Sequence, residues 1–582
     1  MLNNNNSISN ILINCKRNRN WAENSCSDKL MLDCKKPKMI VTAFALMLLC
    51  SVLLPSFLFS AVDTAWTRRY NGPSNDDDGA EAIAVDSAGN VYIAGYTYVS
   101  GQGFNYLTIK YSDDGVQQWL QTYNHTDNDN DRATAMVIDN SGNIYVTGIS
   151  FSYNTGFDCA TIKYNSSGTI QWIQRYNGFG NGADCGNAIA VDNFNNVYVV
   201  GYSDSSNNRD YLIIKYNPSG NQEWVRKYNG TANSTDVAKA IALDDSGYIY
   251  VTGRSEGIGT TADYVTIKYH PTGQVQWIQR YNGTGNNWDE PYAIAVDALS
   301  NVYVTGESMG SGTDSDILTI KYNSSGNQIW VQRYDGPDNS YDYGTAIKVD
   351  GQGNVYVTGP SRASGAYDYA TIKYNSSGVQ QWVQRYNGLG NSGDESYALS
   401  LDTYGNVYVT GKSYGPGTYN DYTTIKYNPN GVQEWVISYD FNSAGDYAYG
   451  IEVDGQGNVY VTGTSSGDCA TIKYIQTAGI EENHSCHTNN HISLNTFPNP
   501  FLNQTIIHYS LNQKSDVSIS VYDVSGTLIK NLLDSQKEPG AYSINWDGTD
   551  NHNRKIKKGI YFLILKANDY KIQTKLLMLR NE

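Results

Sequence analysis

Acidic side chains at regular spacing are the residues of this chain best suited to chemistry, because carboxylates bind cations and exchange protons. In one stretch, Asp127, Asp129 and Asp131 alternate with asparagine and supply the ligand types found at the start of a calcium-binding loop. The stretch lacks the glycine and the later bidentate glutamate that such loops use. We therefore interpret it as a polar loop, with a calcium ion bound by these three residues as the alternative.

Two longer aspartate series recur along the chain, each at a nearly constant interval. A catalytic or metal site does not need seven or eight equivalent copies, so we expect each carboxylate to accept backbone N–H bonds and to fix its loop. The alternative is a ring of negative potential that attracts cations. The first series is Asp78, Asp131, Asp184, Asp236, Asp289, Asp342, Asp394 and Asp446; the second is Asp158, Asp210, Asp263, Asp316, Asp368, Asp421 and Asp468.

A sugar-binding surface is the second chemistry that the side chains permit. Such a surface needs aromatic rings in segments that vary between repeats, since a flat ring offers apolar area and a polar edge. Aromatic residues at these variable positions form the candidate ligand face. They are Tyr98, Tyr153, Trp288, Tyr341 and Tyr419.

Cysteine pairing is the third chemistry, and export would permit it. Of the eight cysteines, Cys159, Cys185, Cys469 and Cys486 lie beyond the N-terminal segment, and four cysteines allow three pairings. We predict a Cys159–Cys185 disulfide, because both residues map to the same end of the fold. We predict a second disulfide between Cys469 and Cys486.

Catalytic motifs are absent from the sequence. The few histidines form no HExxH motif, and the chain has no Gly-x-Ser-x-Gly turn and no phosphate-binding loop. A carboxylate pair for glycoside hydrolysis stays open, because that pairing is set in three dimensions. The net charge of −16 argues against a nucleic-acid partner. We expect no cofactor, with calcium as the alternative.

Internal repeats determine which elements position these side chains. Each repeat contains four runs of strand length, rich in β-branched and aromatic residues and separated by Gly, Asn and Ser turns. Each is therefore predicted to be a four-stranded antiparallel meander, with strands A to D. The repeated lysines are Lys110, Lys163, Lys215, Lys268, Lys321, Lys373, Lys426 and Lys473, and the repeated tryptophans are Trp66, Trp119, Trp172, Trp224, Trp277, Trp330, Trp382 and Trp435.

The offset between these two markers predicts a closed ring. Trp66 belongs to a D strand with no A, B or C strand before it, and Lys473 belongs to a C strand with no D strand after it. A single meander cannot bury both faces, whereas meanders packed radially can. We therefore predict an all-β fold, an eight-bladed β-propeller in which the N-terminal strand completes the last blade. An open solenoid would leave the Trp66 strand unpaired.

Repeat phrases carry a family resemblance. The phrases GNVYVTG, DYATIKYNSSG and QQWVQRYNG resemble the bacterial β-propeller repeat family of secreted and surface proteins, over residues 65–474. The segment YNSSGVQQW, residues 374–382, is similar to the tryptophan-docking turn of quinoprotein propellers in its packing motif only.

The C-terminal segment follows a different pattern, with short strand-like runs between glycines that predict a small immunoglobulin-like β-sandwich. Four phrases in order resemble the C-terminal sorting domain of the type IX secretion system. They are FPNPF, VYDVSGTLIKNLL, INWDGTDNHNRKIKKGIYFLIL and KLLMLRNE. The resemblance implies passage through the outer membrane and attachment to the surface or release. A plain immunoglobulin-like module is the alternative.

The N-terminal segment predicts export. Lys35, Lys36 and Lys38 precede an uncharged apolar run at residues 39–59, as in a secretory signal peptide, and an uncleaved membrane anchor is the alternative. We thus predict a disordered or mis-called start at 1–34, a signal peptide at 35–61, the propeller at 62–474, a linker at 475–492 and the sorting domain at 493–582.

These features together predict a secreted or surface-exposed bacterial protein that binds a macromolecule or glycan through its variable face. Residues 493–582 would contact the type IX secretion machinery, and the membrane would be met only through the export signal. A propeller enzyme, either a carbohydrate-active hydrolase or lyase or a quinoprotein-like oxidoreductase, is one alternative. A purely structural envelope protein is the other.

Overall fold

The computed structural model describes residues 61–477, except 206–207 and 416, and residues 493–578, except 498, 500, 502–503, 512, 524–525 and 569. The apolar run at 39–59 and the predicted linker beyond residue 477 lie outside the described residues. None of the described residues belongs to a helix long and apolar enough to span a membrane. The chain divides into two compact units, residues 1–479 and 480–582.

The first unit is a closed propeller of eight four-stranded antiparallel blades. The first strand is β1 (Ala61–Tyr70). Blades 1 to 4 consist of β2 (Asp78–Val85), β3 (Val91–Val99), β4 (Gly103–Tyr111), β5 (Gln117–Tyr123), β6 (Asp131–Ile138), β7 (Ile144–Ser152), β8 (Gly156–Tyr164), β9 (Ile170–Tyr176), β10 (Asp184–Val191), β11 (Val197–Ser205), β12 (Asn208–Tyr216), β13 (Gln222–Tyr228), β14 (Asp236–Leu243), β15 (Ile249–Glu256), β16 (Ala262–Tyr269) and β17 (Val275–Tyr281).

The remaining blades continue the same order of strands A to D. Blades 5 to 8 consist of β18 (Asp289–Val296), β19 (Val302–Met309), β20 (Ser315–Tyr322), β21 (Gln328–Tyr334), β22 (Ala346–Val349), β23 (Val355–Ala363), β24 (Ala366–Tyr374), β25 (Gln380–Tyr386), β26 (Glu395–Leu401), β27 (Val407–Tyr414), β28 (Asn420–Tyr427), β29 (Gln433–Tyr439), β30 (Asp446–Val453), β31 (Val459–Ser465) and β32 (Asp468–Thr477), with β1 as the last strand of blade 8.

Ring closure follows the prediction from the sequence. Strand β1 pairs antiparallel with β32, and Trp66 lies opposite Lys473. The A strands of successive blades contact one another, including β2 with β30, so the A strands form the innermost ring. Closure leaves no unpaired edge strand between the last blade and the first.

The core lies between neighbouring blades. Side chains of the B and C strands are buried on both faces, because each sheet is covered by a blade on either side. Between blades 1 and 2, for example, Tyr92 and Tyr106 pack against Ile144, Val146 and Ile162. The D strands are the most exposed, as expected for the outer edge of each blade.

Seven of the eight repeated tryptophans connect their D strand to the following blade by a hydrogen bond. Trp382 Nε1 donates to the Pro429 carbonyl at 3.1 Å, in the C–D turn of the next blade. The same bond joins blade 8 to blade 1, from Trp66 to Asp113 at 2.9 Å. Among the described residues Trp435 Nε1 has no acceptor, since β1 and not a strand following β32 is the D strand of blade 8.

The second unit is a two-sheet sandwich. Its sheets have the orders β33-β34-β37 and β36-β35-β38-β39. Trp546, Phe501 and Leu563 are among the residues that fill its core. The strands are β33 (Ser493–Phe497), β34 (Thr505–Leu511), β35 (Ser515–Asp523), β36 (Leu528–Lys537), β37 (Gly540–Trp546), β38 (Gly559–Ala567) and β39 (Tyr570–Met578).

Candidate functional site

The D–A and B–C loops form one end of the propeller, which we call the loop face, and the A–B and C–D turns form the other end, the turn face. The aspartates of the first series begin or precede the A strands on the loop face and are fully buried. Asp184, for example, accepts the Gly178 N–H at 2.6 Å. All eight make the equivalent backbone bond, so this series fixes the D–A loops, as predicted.

The second aspartate series is held mainly by arginines of the D strands. Arg175 pairs with Asp158 at 2.6 Å, and Arg385 pairs with Asp368 at 2.8 Å. The same pairing recurs at Arg69–Asp468, Arg280–Asp263 and Arg333–Asp316. In each pair, a guanidinium that can donate two hydrogen bonds compensates the charge of a buried carboxylate. We therefore assign these pairs to the scaffold of the propeller.

Side chains that vary between repeats mark a different place, the innermost strands of the eight blades. A β-bulge interrupts most A strands after their third residue, and the bulged residue lies on the innermost strand. Its identity differs from blade to blade, unlike the scaffold positions. In blade order these residues are Glu81, Thr134, Asn187, Lys239, Tyr292, Thr345, Tyr397 and Tyr449.

An ion-paired carboxylate lies at the centre of this region. Glu290 is buried, with Lys239 Nζ at 2.9 Å from one carboxylate oxygen and Arg254 at 3.7 Å from the other. The Arg254 guanidinium lies over the Trp288 ring, 4.8 Å from the ring centroid. Strands from blades 4 and 5 thus place two cations, one carboxylate and an indole together.

A second carboxylate, Glu307, accepts two hydrogen bonds on the same oxygen. Trp288 Nε1 donates at 3.0 Å and the Tyr292 hydroxyl donates at 2.8 Å. Burial raises the pKa of Glu307, the Tyr292 hydrogen bond lowers it, and the charge of Glu290 raises it again. The pKa of Tyr292 is raised by burial and by the charges of both carboxylates. Glu307 is therefore protonated more readily than an exposed glutamate.

Aromatic rings continue the region into blades 6 to 8. Tyr343 contacts both Tyr292 and Tyr367, with ring centroids 6.2 Å and 6.1 Å apart. Further along, Tyr397 and Tyr449 are 5.6 Å apart. The last members are Lys412, which pairs with Glu395 at 3.0 Å, and Tyr447, which stacks on Tyr449. We call this set the inner arc: Lys239, Arg254, Trp288, Glu290, Tyr292, Glu307, Tyr343, Tyr367, Glu395, Tyr397, Lys412, Tyr447 and Tyr449.

The five aromatic residues predicted from the sequence lie at or near the loop face but do not form one cluster. Within the described residues, no ring contact joins two of them. Tyr153, Tyr341 and Tyr419 are exposed, Tyr98 packs on Phe104, and Trp288 belongs to the inner arc. Their role in ligand binding stays a prediction.

The three aspartates considered for calcium each accept a backbone N–H bond, and calcium binding by them stays a prediction. Asp127 accepts the Tyr153 N–H at 2.8 Å, Asp129 accepts the Asn130 N–H at 2.8 Å, and Asp131 accepts the His125 N–H at 2.7 Å. Three carboxylates do converge elsewhere in the described part of the chain, at Asp316, Asp335 and Asp342 and at Asp421, Asp440 and Asp446.

The predicted Cys159–Cys185 disulfide is not formed, since both thiols are free and buried. A Cβ built on Gly186 would be 3.0 Å from Cys159 Sγ, so Gly186 faces blade 2. Successive strand residues face opposite sides, and Cys185 therefore points away, with its thiol 3.2 Å from the Asn187 amide oxygen. Cys469 is also free, and its predicted partner Cys486 lies outside the described residues.

Most of the inner arc was not predicted from the sequence, which singled out only Trp288 of its members. The aligned repeats do contain a signal, namely one A-strand position whose residue type varies between blades. The carboxylate and ring partners come from other strands and other blades, which a single repeat does not reveal.

Family models match both units. The β-propeller repeat model matches residues 65–101, 171–208, 223–259, 276–312 and 437–468. The first unit is thus a β-propeller that contains matches to this repeat model. A model described as a FlgD Ig-like domain matches residues 503–570, in the sandwich.

Curated relatives of this propeller protein match only in part. An uncharacterized WD repeat-containing protein of Acanthamoeba polyphaga mimivirus is 24% identical over 401 residues, 55% of this chain and 26% of the relative. Regulatory protein FlaEY of Caulobacter vibrioides is 31% identical over 115 residues, 17% of this chain and 12% of the relative. The chain thus spans a minor part of the length of these relatives.

Solved structures are similar at low sequence identity. Sqt1 from Chaetomium thermophilum is 9% identical, with 72% of this chain and 100% of that chain covered and a TM-score of 0.45. PorZ, described as a surface component of the type IX secretion system of Porphyromonas gingivalis, is 13% identical, with 88% and 76% covered and a TM-score of 0.36.

Proposed function

We propose that this protein is an exported binding module that engages a glycan of a cell surface or matrix through the inner arc and the surrounding loop face. The propeller supplies a rigid disc, and the ligand-specific contacts come from side chains that the repeat does not dictate. Residues 493–582 would act as the type IX sorting domain, and the protein would be secreted or attached to the outer surface.

One observation carries the proposal, namely that departure from the repeat is concentrated on adjoining inner strands. The scaffold residues, such as the loop-fixing aspartates and the packed tryptophans, recur in nearly every blade. Lys239, Glu290 and Tyr292 have no counterparts of the same type in the first three blades. A purely structural disc has no need for such a contiguous set of polar and aromatic exceptions.

The chemistry of the inner arc favours a carbohydrate. Tyrosine and tryptophan rings supply apolar faces with a polar edge, and Glu395 and Lys412 supply acceptors and donors for hydroxyl groups. Three carboxylates and both lysine and arginine are present, so a neutral or partly charged sugar chain can be matched by hydrogen bonding. Strong attraction to polyanions is disfavoured by the net charge of −16.

Export is supported by the sequence alone. The basic and apolar segment at 35–61 precedes the propeller, and the four ordered phrases of the C-terminal segment resemble a type IX sorting domain. Fractionation of cells that express the full chain or a chain lacking residues 493–582 tests this part. The truncated chain is expected to accumulate inside the cell envelope, and equal surface display of both chains would contradict the sorting role.

Glycan binding is tested with an array of surface and matrix glycans and the full chain. Trp288→Ala and Tyr343→Ala should weaken binding by about tenfold or more, as for aromatic residues at the centre of an interface. Tyr404→Ala, an exposed ring in an A–B turn of the turn face, serves as the matched control and should leave binding unchanged. Equal loss in all three variants, or binding that survives both inner-arc changes, would contradict the proposal.

The carboxyl pair favours a second candidate, glycan cleavage. Glu307 has a raised pKa and neighbours the ion-paired Glu290, an arrangement of two unlike carboxyl groups that acid–base cleavage of a glycosidic bond can use. Release of new sugar ends from a bound glycan, lost in Glu307→Gln while binding is retained, would decide for this candidate.

A further inference from the structure

Blade 7 contains a break in the charge pairing of the second aspartate series. In five blades an arginine of the D strand pairs with the aspartate, and in blade 3 Lys227 acts on Asp210. In blade 1 both positions are neutral, with Asn105 and Thr122. Blade 7 keeps the aspartate, Asp421, but has Ser438 at the arginine position. Among the described residues the Asp421 carboxylate therefore has no arginine partner.

Asp421 is left with an unused acceptor. Its side chain lies in a residue that is only 8% exposed. One carboxylate oxygen accepts the Thr418 hydroxyl at 3.0 Å, and the other has no hydrogen-bond partner among the described residues. The second oxygen is also unpartnered in Asp158, Asp263 and Asp316, but in those residues an arginine compensates the first oxygen. A buried carboxylate oxygen without a donor is costly, since burial removes the water that would otherwise solvate it.

Two further carboxylates converge on the same place. Ligand oxygens of Asp421, Asp440 and Asp446 all lie within 4.8 Å of one another. Asp440 is itself an exception, because six other blades have asparagine at that position. The cation that acts on Asp446 is Arg69, which is already paired with Asp468 at 2.7 Å.

We propose that Asp421, Asp440 and Asp446 bind a calcium ion, which takes the place that a guanidinium occupies in other blades. Calcium prefers carboxylate oxygens at about 2.4 Å, and two such ligands across one ion are about 4.8 Å apart. The ligand set contains neither nitrogen nor sulfur, which disfavours zinc. Water would complete the coordination sphere, and the expected affinity is that of an extracellular module, with Kd of about 0.1 to 1 mM.

The electrostatics of Asp421 agree with this assignment. Burial is the largest cause that raises its pKa; with the lowering effect of the Thr418 hydrogen bond and the raising effect of the Asp440 and Asp446 charges, the pKa is about 6. Without a counter-ion the three carboxylates repel one another. A divalent cation removes that repulsion in one step.

The site lies beside the closure of the ring. Asp421 is the second residue of β28, the C strand of blade 7, and Asp446 begins β30, the A strand of blade 8. Blade 8 is the blade that β1 completes. A bound ion therefore connects blade 7 to the blade in which the two ends of the propeller meet, and it stabilises the closed ring.

Blade 5 provides an internal control. Asp316, Asp335 and Asp342 lie equally close together, but Arg333 contacts Asp316 at 2.6 Å. The guanidinium already compensates that cluster, so we expect calcium to bind at blade 7 and not at blade 5. Comparison of the two clusters therefore shows whether calcium binding depends on the spacing of the carboxylates alone or also on the absence of the arginine.

Calorimetric titration of the full chain with calcium chloride, with melting temperature as a second readout, tests the proposal. Ser438→Arg should abolish binding by restoring the missing cation, and Asp440→Asn should weaken it by about tenfold, since ligand charge count sets affinity. Asp335→Asn is the matched control and should bind as the unmodified chain does. Arg333→Ser should create a second site and raise the stoichiometry from one ion to two.

The melting temperature of the unmodified chain should rise by about 2 °C in millimolar calcium, and that of the Ser438→Arg chain should not change. Should Ser438→Arg fail to fold, Asp440→Asn against Asp335→Asn still decides the question. Absence of calcium binding by the folded unmodified chain overturns the proposal. Loss of binding in Asp335→Asn, or undiminished binding in Ser438→Arg, overturns it as well.

Discussion

Side chains in this propeller either belong to the scaffold or vary between blades, and comparison of the repeats separates the two groups. Tryptophan at the D strand is the clearest scaffold residue, because its ring fills the space between blades while its N–H reaches the next C–D turn. Blade 7 has the ring without the acceptor, since Trp435 Nε1 has no hydrogen-bond partner among the described residues. The chain thus contains its own comparison of packing with and without the hydrogen bond.

Changing Trp382 or Trp435 to phenylalanine measures that hydrogen bond. Both changes remove similar apolar area, but only Trp382→Phe also removes a hydrogen bond to the Pro429 carbonyl, which keeps Lys373 Nζ as its other donor. We expect Trp382→Phe to lower the free energy of unfolding by about 1 kcal/mol more than Trp435→Phe does. Denaturant titration of both variants checks this, and equal losses would mean that the ring alone matters.

Strand β1 is the element on which the closed ring depends. It supplies the whole outer edge of blade 8, along β32, and it also carries Trp66 into the gap between blades 8 and 1. Without it, β32 becomes an unpaired edge and one inter-blade core loses its indole. Every other blade takes its four strands from one continuous stretch of chain.

Removal of residues 61–70 should therefore open the ring. The truncated chain is expected to melt at a lower temperature and to aggregate through the exposed edge of β32. A synthetic peptide with the sequence of residues 61–70 should restore the melting temperature by strand addition. The same peptide with Trp66→Ala should restore less, and a truncated chain that is as stable and monomeric as the full chain would refute the closure role.

The sequence predicts elements here better than it predicts sites. Strand number, strand order and closure follow from markers such as Trp66 and Lys473, because eight copies of the repeat show the strand pattern more clearly than one copy does. The disulfide prediction failed at Cys185, because the side to which a strand residue points depends on register and bulges. The inner arc was largely missed, since contacts such as Tyr292 with Glu307 join strands that no local pattern connects.

At the scale of the whole molecule, the eight buried aspartates of the first series form a ring of carboxyl groups on the loop face. Their titration determines how the stability of the propeller depends on pH. All eight aspartates of the first series have raised pKa values, with burial as the largest cause. Asp289 reaches about 6. The folded state therefore binds more protons than the unfolded state between about pH 4 and pH 6, where unfolded aspartate has already ionised.

Stability should consequently fall as the pH rises through that interval. A group with a raised acidic pKa contributes its stability at low pH and loses it as the pH passes the folded pKa. We expect the melting temperature, measured in EDTA, to be higher near pH 4.5 than near pH 7, and Asp289→Asn should reduce this slope. Asp86→Asn is the control, because the pKa of Asp86, in an A–B turn, is lowered and its titration lies below this interval. The Asp86→Asn variant should have a melting temperature that is lower by the same amount at every pH in the range. If the melting temperature of the unmodified chain instead rises from pH 4.5 to pH 7, the buried ring of carboxyl groups does not control the pH dependence.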